Sequence, residues 1–244
     1  MSVWGKIIGG TAGFAIGGPL GAILGVMAGN VYDKSKRKKF NFNHISNQQK
    51  QNIFALSVII LSAKIAKSDG VVTKDEISAF KEKFKINNNE IQEVSKIFNE
   101  AKKSKFGYEK IAKQVGILFS DNKILLEELL NNLFYIAEAD GNVSNSELKM
   151  IRQIAQIFGL TEIQFNSIME SRKSSDKLNP YIVLESKPDD TIEIIRKRYL
   201  KLSKEHHPDL LMSKGVPQEV IDESKAKMRS INSAWDQVQK LKSN

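Results

Sequence analysis

The residues best suited to chemistry lie near the end of the chain, in the run His206-His207-Pro208-Asp209. Imidazole and carboxylate groups in one short turn could serve as a general acid, a general base or metal ligands. Only one other histidine, His44, occurs, cysteine is absent, and neither a metal-ligand set nor a Ser/His/Asp order is evident. We therefore expect no catalytic residue, no cofactor and no bound metal, and predict that the chain is not an enzyme.

A predicted helix with a basic side leads into this turn. Asp190 is expected to cap the helix, with Glu193 three residues later completing the cap. One face is apolar and carries Ile192, Ile195, Tyr199 and Leu202. The basic residues on the other side are Arg196, Lys197, Arg198, Lys201 and Lys204.

The helix is expected to stop at His206, because proline cannot continue the hydrogen-bond ladder and restricts the residue before it. A long loop through Gly215 and Pro217 leads to a last helix. Three- and four-residue intervals in that helix separate Ile221, Ser224, Met228, Ile231, Trp235 and Val238. Two long helices joined in this way pack antiparallel, which leaves the His-Pro-Asp turn exposed at their tip.

The middle of the chain predicts a helical domain. No proline occurs between Ser46 and Asn179, and apolar residues recur at helical spacing in segments such as 53–67 and 125–139. Residues 63–76 align with residues 134–147, and each copy is predicted to be a helix, an Asp-Gly turn and a second helix. The predicted fold class is all-α.

The repeated acidic turns, Asp69-Gly70 and Asp140-Gly141, raise the question of a metal site. Neither copy has the ligand spacing of a calcium-binding loop. Local structure accounts for the residues: Asp-Gly makes the turn, and a capping box is expected from Thr73 with Glu76 and from Ser144 with Glu147. We favour this structural role over metal binding.

The first part of the chain predicts a membrane anchor. Residues 7–29 are uncharged and apolar over about 23 positions, enough to span the hydrocarbon of a bilayer. Five basic residues between Lys34 and Lys39 follow, which favours an outside N-terminus and a cytoplasmic body at the bacterial inner (plasma) membrane. A hairpin bent at Gly18-Pro19 is the alternative. The basic run also contains more than half of the net charge of +9.

Glycine occurs at every fourth position of this anchor, at Gly9, Gly13, Gly17, Gly21, Gly25 and Gly29. Such a stripe lets a second helix backbone approach closely, as in GxxxG pairs. We therefore predict a homodimer formed through the anchor.

Several of these features resemble known families. The Asp-Gly repeat resembles the TerB-like helical domain. The His-Pro-Asp turn resembles that of the J-domain of DnaJ-type co-chaperones, since Tyr199 and Leu202 precede it at the family's spacing and Ala234-Trp235 fits the final helix. The opening Trp4-Gly5-Lys6-Ile7-Ile8 and the order of the parts resemble the membrane-anchored DnaJ-like protein A (DjlA) type. The predicted parts are an anchor at 1–33, a basic linker at 34–45, a TerB-like domain at 46–170, a linker at 171–177 and a J-domain at 178–244.

The resemblance implies a function through a partner. His207, Pro208 and Asp209 would trigger ATP hydrolysis in a DnaK-type chaperone. Arg196, Lys197, Lys201 and Lys204 would dock on the acidic surface of that partner. Leu210 departs from the basic residue that many J-domains carry after the turn, which weakens the expected docking.

Two other functional classes remain as alternatives. The basic composition could indicate nucleic-acid binding, but no aromatic residues alternate with the basic stripe, and we expect no nucleic-acid partner. The chain could instead be a structural membrane assembly or scaffold protein with an inactive J-like module. ATPase stimulation separates these classes from a co-chaperone.

The glycine stripe gives a direct prediction. Replacing Gly17 and Gly21 with leucine should preserve membrane insertion, because leucine is more lipophilic, while preventing close approach of two helices. Self-association of residues 1–40 should therefore fall in a transmembrane reporter assay. Undiminished association of the double variant would contradict the dimer prediction.

Overall fold

The computed structural model describes residues 46–68, 81, 82, 86, 88–103, 107–139, 141, 143–174, 177–214, 216, 218 and 221–243. The glycine stripe, the basic run that follows it and the Asp69-Gly70 turn lie outside these residues. Within the described residues the regular elements are α-helices, which confirms the predicted all-α class. None of the helices in this part of the chain combines the length and the apolar character needed to cross a bilayer.

Ten helices are described. They are α1 (Asn47–Ala66), α2 (Asn88–Ala101), α3 (Tyr108–Leu118), α4 (Lys123–Ala137), α5 (Asn145–Ile157), α6 (Glu162–Glu170), α7 (Pro180–Val183), α8 (Ile192–Glu205), α9 (Pro208–Ser213) and α10 (Ile221–Ser243).

Helix α1 lies at the centre of the first core. Every residue from Asn52 to Ala66 is buried, so the helix is enclosed on all sides rather than on one face. Helices α2, α3, α4 and α5 pack around it. Its first turn is closed by a capping box in which Ser46 and Gln49 each bond the backbone of the other.

The predicted capping box of α5 is confirmed. The Ser144 hydroxyl accepts a bond from the Glu147 amide at 3.2 Å, and the Glu147 carboxylate accepts one from the Ser144 amide at 2.9 Å. Gly141 precedes this box with φ of 97°, a left-handed conformation that glycine adopts without strain. The corresponding box of Thr73 and Glu76 lies outside the described residues.

A second, smaller core holds the C-terminal helices together. Its buried residues are Leu178, Val183, Leu184, Ile195, Leu202, Ile231, Ala234 and Val238. The rings of Tyr199 and Trp235 stack at its edge with centroids 5.1 Å apart. Lys242, near the end of α10, donates to the Pro188 carbonyl just before α8, at 2.6 Å. Because the end of one helix meets the start of the other, α8 and α10 run antiparallel, as predicted.

Two local expectations for this region were wrong. The N-cap position of α8 is held by Thr191, whose side chain makes no capping bond, while the Asp190 carboxylate accepts a bond from the Lys187 amide at 2.9 Å and closes the preceding turn. The segment after Pro208 is not all loop, since α9 begins at this proline. Proline lacks only an amide that the first turn of a helix leaves unpaired, so it can start one helix while ending another.

Candidate partner-binding site

The His-Pro-Asp turn forms the start of α9. His207 is the N-cap residue, and its Nδ1 accepts a hydrogen bond from the Asp209 amide at 3.3 Å. The Leu211 amide donates to the His207 carbonyl at 3.1 Å. The side chains of His207 and Asp209 are 53% and 81% exposed. Two polar side chains of this turn are therefore presented to solvent on a short, hydrogen-bonded scaffold.

The four basic residues of the predicted docking face are exposed on α8. Lys197, Lys201 and Lys204 are separated by four and three residues, which places them along one side of the helix. Lys204 also lies next to the turn, because its carbonyl accepts a bond from the His207 amide at 3.4 Å. The structure thus places a line of positive charge that leads to His207 and Asp209.

His206, directly before the turn, is buried at 2% exposure. Its Nδ1 lies 3.0 Å from Oε1 of Glu128, and its Nε2 lies 3.4 Å from Oε2 of Glu127. Both glutamates belong to α4 of the first core. The sequence prediction of an exposed tip therefore holds for His207 and Asp209 but does not extend to His206.

Polar side chains from several helices meet around His206. Glu128 Oε2 accepts from the Ser224 hydroxyl of α10 at 2.9 Å, and Glu127 accepts from Gln164 of α6. Lys227 of α10 donates to the Ser167 carbonyl at 3.2 Å. Its ammonium group also contacts the hydroxyls of Ser167 and Ser171, at 3.1 and 3.2 Å. This buried network joins α4 and α6 to the C-terminal helices.

The charges of the network determine its protonation. Burial acts to lower the pKa of His206, but the adjacent carboxylates of Glu127 and Glu128 outweigh burial and raise the pKa to about 9. Burial lowers the pKa of Lys227, although Glu127 and Glu185 oppose that shift. His206 is therefore charged at neutral pH, which provides a counterion for the carboxylates.

Apolar contacts also hold the C-terminal helices against the first core, and we call this region of contact between the two cores the joint. Leu211 of α9, Val216 and Ile221 are at most 1% exposed and belong to the first core, which is otherwise formed by α1 to α6 and their connections. The segment between the turn and α10 is thus packed into the helical domain. Burial of each such side chain contributes roughly 1.5–3 kcal/mol.

A cleft of about 780 Å³ opens elsewhere between the two cores, between α4, α10 and the segment after α6. Arg172 crosses it and binds the Glu138 carboxylate through Nε and Nη2, at 2.6 to 2.8 Å. Its Nη1 donates to the Asn131 side chain at 2.6 Å. Among the described residues, no group of three or more His, Cys, Asp or Glu side chains is arranged so that it could hold a metal ion.

The comparisons with known proteins bear on the whole chain. Family models for the co-chaperone DjlA transmembrane domain and for tellurite resistance protein TerB match residues 1–46 and 55–170. Co-chaperone protein DjlA of Photobacterium profundum is 26% identical, and the alignment covers 98% of this chain and 99% of the relative. The DjlA proteins of Vibrio parahaemolyticus and Escherichia coli are 27% and 24% identical, with 99% of each chain covered.

The chain is thus similar to co-chaperone DjlA proteins over nearly its full length. These matches confirm the resemblance stated from the sequence, including the TerB-like helical domain. The transmembrane-domain match includes the glycine-rich segment. No solved structure matches the chain with significance.

Sequence reasoning missed the residues that join the two cores, which are Glu127, Glu128, His206, Ser224 and Lys227. One signal was present in the sequence. Glu127 and Glu128 interrupt the apolar run from Leu125 to Leu130, where a solvated pair of carboxylates is out of place. The partner of these carboxylates could not be read from the sequence, because His206 lies 78 residues from Glu128.

The raised pKa of His206 predicts that the stability contributed by the contact between the two cores depends on pH. The folded value of about 9 lies above the ordinary 6.5, so the stabilisation is complete below pH 6.5 and is lost as pH rises through 9. The full loss in the free energy of unfolding is about 3 kcal/mol. Unfolding of the full chain, measured by amide hydrogen exchange in lipid nanodiscs from pH 6 to 10, should show this loss.

Substitution of His206 by asparagine provides the control. Lys227 acts in the opposite sense, since a lowered folded pKa adds stability as pH rises, so the difference between wild type and variant isolates His206. The stability advantage of wild type over His206→Asn should shrink with pH. An advantage independent of pH would contradict the protonated histidine.

Proposed function

We propose that this chain is a membrane-anchored co-chaperone whose C-terminal region acts as a J-domain and stimulates ATP hydrolysis by a DnaK-type chaperone. The observation that carries the proposal is the exposed His207-Pro208-Asp209 turn between the antiparallel helices α8 and α10, next to a line of basic residues. The relatives named co-chaperone protein DjlA support it over nearly the full chain. Neither family-model match covers residues 171–244, so the geometry of this region has particular weight.

The two parts of the site have different tasks in this proposal. Lys197, Lys201 and Lys204, together with Arg196, attract an acidic surface of the chaperone and fix the register of docking. His207, Pro208 and Asp209 then contact the chaperone and favour its hydrolysing conformation, because a ligand shifts an equilibrium by binding one state more tightly. The chemistry takes place in the partner, and the chain itself is not an enzyme.

The anchor determines where this happens. The match to the DjlA transmembrane domain supports a membrane segment in residues 7–29. The basic residues from Lys34 to Lys39 favour a cytoplasmic body, so the co-chaperone would recruit its partner to the inner membrane. Pairing of anchors through the glycine stripe would present two J-domains together.

The first prediction from this proposal concerns His207. The full chain in lipid nanodiscs should stimulate the steady-state ATPase of a DnaK-type chaperone, and His207→Gln should reduce the rate to the unstimulated value. The fold should be unaffected, because the side chain is 53% exposed and makes only local contacts.

The matched control is His44→Gln, the same substitution in the basic segment after the anchor. It should leave stimulation at the wild-type level. Equal stimulation by His207→Gln and wild type would contradict the J-domain assignment. Absence of stimulation by wild type would favour the alternative of a structural assembly protein with an inactive J-like module.

The second prediction concerns the basic face. Reversing Lys197 and Lys201 to glutamate should slow association with the chaperone by about tenfold or more at low salt, because charge of the correct sign steers encounter. Stability should change by less than about 1 kcal/mol, since both lysines are exposed. Surface plasmon resonance at several salt concentrations measures the association rate.

Reversal of Lys110 and Lys113 to glutamate is the control. These exposed lysines lie on α3 of the helical domain and give the same change in net charge away from the proposed face. The control should alter association far less. Equal effects of the two reversals would argue for a general attraction by net charge and against docking on α8.

A further inference from the structure

The His-Pro-Asp turn is held from both sides by the TerB-like domain. Before the turn, the buried ring of His206 lies against Glu127 and Glu128 of α4. After it, Leu211 is fully buried in the first core. Within the segment from His206 to Leu211, only the residues between these two attachments are in contact with solvent to a substantial extent. The orientation of the turn therefore depends on a domain outside the J-like region.

Glu128 is the central group of this attachment. It is 1% exposed, and its two carboxylate oxygens bind different helices. Oε1 accepts from His206 Nδ1 at the end of α8, at 3.0 Å, and Oε2 accepts from the Ser224 hydroxyl near the start of α10, at 2.9 Å. One side chain of α4 thus fixes both helices that flank the segment carrying the turn.

We propose that Glu128 is a positioning residue for the His207-Pro208-Asp209 turn, so that the TerB-like domain controls how efficiently the turn stimulates the chaperone. This inference rests on the proposed function. The turn must contact the chaperone in one orientation. If it samples several orientations, binding free energy is lost when the partner immobilises it. The basic face of α8 makes no contact with Glu128 among the described bonds, so docking and triggering can be separated experimentally.

The main test compares Glu128→Ala with Glu128→Gln in the full chain, reconstituted in nanodiscs. The alanine variant removes both hydrogen bonds and should lower the maximal stimulation of the chaperone ATPase by about fivefold. The co-chaperone concentration for half-maximal stimulation should stay within about twofold, because the docking charges are intact. Glutamine should retain most of the stimulation, since its carbonyl can accept from His206 and its amide can donate to Ser224.

A second pair of variants covers the case in which Glu128→Ala fails to fold. Ser224→Ala removes one of the two bonds of Glu128 with little change in volume. Ser230→Ala is the matched control on the same helix, because its hydroxyl also reaches across the joint, to the Ser171 carbonyl at 2.6 Å, but away from the turn. Ser224→Ala should lower maximal stimulation and speed amide exchange at residues 207–211, while Ser230→Ala should do neither.

The possible outcomes are distinct. Lower maximal stimulation in Glu128→Ala, with recovery in Glu128→Gln, supports the positioning role. Full stimulation by a folded Glu128→Ala variant overturns the positioning role and leaves the proposed function intact. If Glu128→Ala does not fold, equal stimulation by Ser224→Ala and Ser230→Ala has the same meaning. Absence of stimulation by wild type would overturn the proposed function, and the positioning role with it.

Discussion

The arrangement of the C-terminal helices depends on a buried ionic contact, between the His206 ring and the carboxylates of Glu127 and Glu128. Removing charged groups from water costs several kcal/mol each, and the cost is offset only when the geometry pairs them closely. Here the glutamates are adjacent on α4, and His206 lies at the one point where α8 ends. The contact is therefore satisfied in a single alignment of the two cores, whereas the apolar contacts of Leu211, Val216 and Ile221 are less directional.

The same contact attaches the exposed His-Pro-Asp turn to the helical domain. His206 before it and Leu211 after it are buried, and α9 is capped by the turn's own histidine. A loop at the tip of an isolated helical hairpin would lack these attachments. In this chain the exposed polar groups are carried by a framework that includes the TerB-like domain.

Much of the fold could be predicted from the sequence, because its signals are local. Helical periodicity identified α8 and α10, and the Ser144 capping box was correct to the residue. The N-cap position of α8 lies one residue later than predicted, because both residue types are common there and the Asp190 carboxylate bonds the Lys187 amide instead. Of the predicted site, the exposure of His207 and Asp209 followed from the proline-bounded turn. The burial of His206 could not be predicted, because it results from a partner far along the chain and not from any local pattern.

Helix α1 has a consequence for synthesis of the protein. It is buried on all sides, and its neighbours α2 to α5 all follow it along the chain. A nascent chain therefore cannot cover α1 completely until α5 has left the ribosome, and the interval lengthens if translation slows. During that interval the apolar side chains of α1 are only partly covered by protein, which is a condition that favours aggregation of nascent chains. The domain is thus expected to need protection by other factors during its own biogenesis, before it can assist in the folding of any other protein.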